Sequence, residues 1–554
     1  MALVTFESRL PDEPTRLVDE RSEIAEVIRL LGENRFVTVT GAPGVGKTRV
    51  GVRIGHELLR AFHAGVWFVG LADVVESEAI PLEVANVIGL VPDQVARVAQ
   101  GIGVLLGGRE ALLILDNCEH LIEGVAGFVA DLLAMAPSIR VLATSRESVG
   151  LYGEHVHVLR PIPTQAGRQD LAAGGVSYAA ELFIVRAEAT GHLHRSQLDS
   201  SDLAAITQLC ATLDGIPLAI ELAAAQVPLM HPSEILARLV DMVDVLRVDQ
   251  RGSTPRHRSI EAALTWSFRL CTTQEQLLWL RASVFRGGFD AEAATAVCSG
   301  DGLQPAEVGV AIRGLIAKSV LTPGYVAGAA RYRMLEPIRA YGAAHLSDAE
   351  RESLYLERHR QWASALVGES EARYFGPHQF EVLTRLHADH HNIAAAVERI
   401  LEGPADPLAV YRLVVPLAIQ RWARGFERSV PRWIHQAVGQ PQPPTAARAV
   451  ALAKLAILGR AFTDDPDELD ALLARAQRDL DLDPDEDARA WVDAARATLL
   501  RGRGDGEAAL RTVEDALGRR DGRPDELTAM LLVLGAGIAS RFGTLDDTAA
   551  WYER

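Results

Sequence analysis

The 554-residue chain carries a formal net charge of −17, with 48% hydrophobic and 23% charged residues. That length exceeds what one core normally organises, so several domains are expected. The acidic balance argues against a protein that coats nucleic acid through its overall field, and four scattered cysteines without a C-x-x-C pair argue against a disulfide frame or zinc site.

The N-terminal stretch MALVTFESRLPDEPTR has neither a basic start nor an apolar core, and the apolar runs elsewhere are too interrupted to span a membrane. A cytoplasmic chain is expected. Residues 1–165 alternate short apolar runs with helical patterns, which predicts an α/β domain with a parallel sheet. Strands are expected at Phe36–Thr40, at Gly65–Leu71, in the LLILD run ending at Asp116, at Ile139–Ser145 and at His155–Leu159. All five read as strands buried on both faces.

The stretch GAPGVGKT between the first strand and a helical pattern fits G-x-x-x-x-G-K-[ST]. Gly41, Ala42, Pro43, Gly44, Val45 and Gly46 would let backbone N–H groups approach phosphates at a helix N-terminus. Lys47 would reach the β- and γ-phosphates, Thr48 would offer its hydroxyl to Mg²⁺, and Arg49 follows as the next residue of this nucleotide-binding stretch. Asp116 is expected on a strand beside the P-loop strand, holding Mg²⁺ together with Thr48. ATSRE ends a further strand and places Thr144, Ser145 and Arg146 on the same sheet edge, with Arg146 a candidate γ-phosphate sensor. Lys47, Asp116 and Arg146 are thus the candidate catalytic residues. Asn117 can orient water but cannot take a proton; Glu119, two residues further on, could substitute if the loop turns it inward, but it is read as facing solvent, so slow hydrolysis is expected.

The Pro- and Gly-containing stretch RPIPTQAGRQDLAAGG closes this domain. Residues 176–250 read as helical, with Gly215 as a stop and Pro217 opening the next helix. Residues 255–348 mix helices with the short β-like pieces SVLTP and RYRML, compatible with a small winged-helix domain. From 349 to 554 nearly everything is helical, and Gly425, Phe462, Gly504 and Gly543 mark turns at intervals of 37, 42 and 39 residues. That spacing predicts stacked helical hairpins. Trp422, Trp433 and Trp491 are spaced as hairpin-core residues, Asp389–Asn392 (DHHN) reads as helix surface, and the acid-rich residues 464–487 read as a solvated face over a leucine stripe. The last helix, TAAWYER, has no terminal cap pattern, and the native product is expected to continue.

The succession GAPGVGKT, LLILDNCEHL, VLATSRE, LDGIPLAIELAA, RSIEAALTWSFRLC, LWLRASVFRGGFDAEAATAVC and YRMLEPIRAYG resembles the signal-transducing ATPases with numerous domains (STAND class). More narrowly, it resembles the bacterial NB-ARC-type ATPases of LuxR-type and antibiotic-regulatory transcription factors. The resemblance covers about Leu10 to Tyr341, and the tail resembles their tetratricopeptide (TPR) sensor. It implies ATP/ADP and Mg²⁺ as ligands, Pro217 packing on the adenine, and Glu336 at the acidic position of a Met-His-Asp motif that clamps ADP. It further implies self-association on activation, an unknown ligand or protein at the repeat domain, and DNA contact only through a domain outside this chain. The chain departs from the pattern at Leu17–Arg21, where many relatives read FVGRE, and at Leu335, which replaces the motif histidine. Two other functions fit a P-loop chain of this length: a defence sensor controlling a partnered effector, and a metabolic kinase or NTPase.

Overall fold

The computed structural model describes residues 8–11, 21–74, 76–89, 98–106, 108–165, 176–249, 255–326, 328–346, 349–374, 377–402, 407–414, 416–418, 429–439, 443–459, 466–520 and 526–553. The chain forms two compact units, Met1–Arg358 and His359–Arg554.

The first unit is built on five parallel strands: β1 (Phe36–Thr40), β2 (Val66–Gly70), β3 (Ala111–Asp116), β4 (Ile139–Ser145) and β5 (Glu154–Val158), in the order β2-β3-β4-β1-β5. Strand alternation sends Leu112 and Ile114 to one face and Leu113 and Leu115 to the other, and all four are fully buried. One face packs on helices Arg21–Glu33 (α1) and Lys47–Leu58 (α2), the other on helices Ile80–Ile88 (α3), Val98–Leu106 (α4) and Ile122–Met135 (α5). Each such buried aliphatic side chain contributes roughly 1.5–3 kcal/mol, which is why β3 is apolar up to Asp116 rather than alternating.

Two expectations are corrected. The Asp116 strand does not lie beside the P-loop strand: β4 is inserted between them, pairing with β1 on one side and β3 on the other. Strand order is set by crossover connections, which a local apolar pattern does not encode. The fifth strand is not buried on both faces either. As an edge strand beside β1 it leaves His155, Val156 and Val158 exposed.

Beyond the sheet, the helix Tyr178–Ala189 is capped by Ser177, whose Oγ accepts from the Ala180 N–H. Asp199 and Asp202 form a reciprocal capping box on the helix Ser200–Thr212. Gly215 then turns with φ +65°, and Pro217 opens the helix Pro217–Ala224. A Cβ at Gly215 would lie 2.1 Å from the Ile162 carbonyl oxygen, and that chain segment is tied on by the Ile162 N–H donating to the Gly215 carbonyl at 2.9 Å.

Residues 255–346 contain the helices Pro255–Arg269, Thr273–Ala282, Ala291–Cys298 and Pro305–Ala317. The antiparallel hairpin β6 (Thr322–Val326) and β7 (Ala329–Arg333) and the helix Glu336–His345 follow. The β-like pieces seen in the sequence fall on or next to that hairpin. An aromatic cluster of Phe268, Trp279 and Tyr341 joins the first, second and last of these helices.

The second unit is helical throughout its described residues. Successive helices Ala446–Gly459, Pro466–Leu482, Glu486–Arg503, Gly506–Arg519 and Glu526–Phe542 pack on one another. Gly504, at φ +89°, ends the helix Glu486–Arg503, and Gly543 follows the helix Glu526–Phe542. Gly425, Phe462, Trp422 and Leu17–Glu20 lie outside the described residues. Trp433 and Trp491 are buried, and Leu469, Leu472 and Leu480 form the buried stripe of the acid-rich helix. DHHN is not helix surface: Asp389 and Asn392 are buried, with the Asn392 amide donating to Asp389 Oδ1 at 3.0 Å. A polar pair that satisfies itself can be taken inside.

All four cysteines are free and buried, and burial pushes the thiols of Cys210, Cys271 and Cys298 up to about 12. No described helix is long and apolar enough to cross a membrane.

Candidate functional site

The loop Gly41–Gly46 leaves the C-terminal end of β1 and feeds α2, which starts at Lys47. Its turn needs left-handed backbone at Gly44 (φ +72°) and Gly46 (φ +103°), where a side chain would be strained. Lys47 Nζ bends back and donates to the carbonyls of Gly41 and Ala42, at 2.9 and 3.2 Å. Burial, foremost, holds this ammonium below its ordinary value. Of the charges acting on it, that of Glu119 is the largest, ahead of Arg146 and Asp116.

Asp116, at the end of β3, is buried. Thr48 Oγ1 donates to its two oxygens at 2.8 and 3.0 Å, and Thr144 Oγ1 on β4 donates at 2.5 Å. Burial raises the Asp116 carboxyl above its ordinary value, opposed by the bonds from Thr144 and Thr48. The inserted strand also reaches the site: β4 supplies the hydroxyl that bridges Asp116 and the loop after it, since Thr144 Oγ1 also accepts from the Asn117 N–H at 3.0 Å. A buried carboxylate whose side-chain hydrogen bonds, among the described residues, come from neutral hydroxyls suits a hard cation with oxygen ligands. The residues present therefore fit Mg²⁺, with Thr48 and Asp116 as the groups that would hold it. The loop amides and Lys47 fit a polyphosphate.

Glu119 is not solvent-facing, contrary to the sequence reading. Asn117 adopts left-handed backbone (φ 64°), and the short 3₁₀ turn Cys118–His120 folds the chain inward. Glu119 Oε1 accepts from Arg146 Nε at 2.8 Å, its side chain is 14% exposed, and Oε2 is buried without a hydrogen-bond partner. Arg146 stands on the expected sheet edge and is 45% exposed.

The loop is also tied to the helices that follow the sheet. The Leu218 N–H donates to the Gly44 carbonyl at 3.2 Å, and a Cβ at Gly44 would approach Leu218 Cβ to 2.9 Å and Ile260 Cδ1 to 2.7 Å. Pro217 is buried beside this contact. Arg49, grouped with the phosphate loop in the sequence, donates through Nη1 to Glu221 Oε1 at 2.9 Å, and Arg186 Nε donates to the same oxygen at 2.9 Å. Glu336 pairs with Arg339 in its own helix, at 2.7 and 2.8 Å, while Leu335 stands exposed before it. Among the described residues no hydrogen bond joins Glu336 to the loop Gly41–Thr48.

Sequence reasoning missed Leu218 as a partner of the loop and Glu221 as a partner of Arg49. The signal was present in LAIELAA, where a lone acid interrupts an apolar run. Glu221→Ala is expected to lower stability by about 1–3 kcal/mol, because it strips one carboxylate from two partly buried arginines. Thermal denaturation followed by circular dichroism checks this; an unchanged midpoint would mean the bridge carries no net stability.

No known family profile matches the chain. A Mycobacterium bovis protein named as an HTH-type transcriptional regulator, Mb0914c, is 33% identical over 461 residues, which make up 81% of this chain and 50% of that relative. The chain therefore spans about half the length of that relative. An uncharacterized Mycobacterium bovis protein, Mb0918, is 32% identical over 351 residues, 63% of this chain and 85% of the relative. Among solved structures, a Signal Transduction ATPase with Numerous Domains carrying a tetratricopeptide repeat sensor, from Pyrococcus horikoshii, is similar in fold. It matches with a TM-score of 0.50 and 14% identity, over 100% of this chain and 78% of that one.

Proposed function

The chain belongs to the same family as the mycobacterial protein Mb0918, and from that premise we propose that it is an ATP/ADP-dependent regulatory switch, the ATPase and sensor portion of a transcriptional regulator. One observation carries the reading. The phosphate loop touches both the helix Pro217–Ala224 and, through Ile260, the helix Pro255–Arg269. Whatever fills the loop acts on the poise of those helices, because ATP and ADP make different contacts there.

In this reading Gly41–Thr48 bind the phosphates, Lys47 neutralises them, Thr48 and Asp116 hold Mg²⁺, and Arg146 senses the γ-phosphate. Pro217 packs on the adenine. Glu336 belongs to a winged-helix domain over 255–348 that closes on ADP, and its salt bridge to Arg339 is the contact such closure would exchange. The second unit acts as a TPR-like sensor, supported by its packed helices with glycine-marked turns. The output proposed is transcription, supported by the name of the longer relative, with DNA contacted outside this chain and self-association in the activated state.

Protein purified without added nucleotide is expected to release close to one equivalent of ADP on denaturation, identified chromatographically. Turnover is expected on the order of 10⁻³–10⁻² s⁻¹, the range of P-loop switches. Nucleotide-free protein with brisk, substrate-stimulated turnover would overturn the switch in favour of a metabolic NTPase.

A further inference from the structure

The loop after Asp116 holds a carboxylate that the switch reading leaves without a task. We infer that Glu119 is the catalytic base of this site: it takes the proton of the attacking water, and its ion pair with Arg146 keeps it idle until a γ-phosphate draws the arginine away. This rests on the reading of the site as one that binds and hydrolyses ATP.

Two features of the geometry support it. Glu119 Oε1 is engaged by Arg146 Nε at 2.8 Å, while Oε2 is buried and unpartnered, which is costly for an ionised oxygen unless something comes to fill it. The backbone fixes the carboxylate in place: Asn117 holds the left-handed turn, and its N–H is anchored on Thr144 Oγ1, the hydroxyl that also grips Asp116. Asn117, at the position next to Asp116, can accept no proton, so the task falls to the next acid along the chain.

The chemistry balances without a further reactant. The water oxygen bonds to the γ-phosphorus as its proton passes to Glu119 Oε2, and the bond from the γ-phosphorus to the β–γ bridging oxygen breaks, its electron pair leaving on ADP. The proton then passes from Glu119 to the released phosphate. Arg146, half exposed, is positioned to exchange its bond to Glu119 for one to the γ-phosphate, so ATP would both release and require the base. The ion pair supplies a reason for slow hydrolysis that the sequence alone assigned to a missing base.

The test uses the full chain with Glu119→Gln, and measures single-turnover hydrolysis together with the affinities for ADP and for a non-hydrolysable ATP analogue. Hydrolysis is expected to fall at least ~10²-fold. ADP affinity should stay within about threefold of wild type, because Glu119 touches no group assigned to the α- and β-phosphates. Analogue affinity should rise about three- to fivefold, since Arg146 no longer has to leave a charged partner that is itself only moderately strong at this exposure. Arg146→Ala serves as the second variant and should bring analogue affinity down to that for ADP. Wild-type hydrolysis in Glu119→Gln, or no hydrolysis at all by a wild-type protein that binds ATP, would overturn the inference while leaving the switch intact. A wild-type protein that binds no adenine nucleotide would overturn both.

Discussion

Lys47→Ala abolishes nucleotide retention while leaving the fold in place. Among the described residues the ammonium bonds only to the carbonyls of Gly41 and Ala42, so its removal breaks no described contact between elements. Toward a polyphosphate the same group is a half-buried cation that would face several negative oxygens. Truncating one partner of such a charge pair costs about 2–5 kcal/mol, and the upper half of that range corresponds to roughly 3 × 10²- to 4 × 10³-fold in affinity. Titration calorimetry with ADP and Mg²⁺ should show that loss, and denatured protein should release no nucleotide. The apparent stability should fall as well, because a ligand present at about a hundred times its Kd contributes roughly 2.7 kcal/mol that the variant forgoes. Without nucleotide, variant and wild type should melt together. Retention at the wild-type level would remove the phosphate assignment of Gly41–Thr48.

Gly215→Ala should destabilise the first unit by at least ~3 kcal/mol, more than any single surface change. Two costs add at this position. The backbone is left-handed, at φ +65°, which costs an alanine about 1 kcal/mol or more. In addition its Cβ would sit 2.1 Å from the Ile162 carbonyl oxygen, a backbone atom that cannot rotate away, and pushing it off endangers the bond from Ile162 N–H to the Gly215 carbonyl. Gly150→Ala separates the two costs. Gly150 is also left-handed, at φ +79°, but nothing lies within 4 Å of its added Cβ. Denaturant unfolding should therefore show a drop of about 1 kcal/mol for Gly150→Ala and a drop several times larger for Gly215→Ala. Equal drops would mean that the linker at Ile162 is not braced on Gly215.

What the sequence disclosed follows the range of the interactions involved. Four strands were legible as apolar runs because burial on both sheet faces is a local compositional demand, and the Pro217 helix start was legible because a proline at the first helical position is a local signal. The phosphate loop was legible because its glycines answer to backbone geometry inside eight residues. The insertion of β4 between β1 and β3 was not legible, being a property of crossovers between distant segments. The exposure of β5 depends likewise on its having no neighbour beyond it. Glu119 was misread because its direction hangs on one left-handed residue, Asn117, and on Thr144 some thirty positions away, which holds the Asn117 N–H. The lone acid in LAIELAA marks Glu221 as a residue in need of a partner, but the pairing with Arg49 joins residues far apart in the chain, and no local pattern names that partner.

The bond from Leu218 N–H to the Gly44 carbonyl carries an obligation that runs in both directions. If filling the loop biases the helix Pro217–Ala224, then any event that displaces that helix must change nucleotide affinity by the same factor. A signal arriving from elsewhere in the protein thus needs no path to the phosphates themselves. Loosening one backbone amide from one glycine carbonyl would suffice to let product go, which makes exchange, rather than cleavage, the step through which such a signal would govern the molecule.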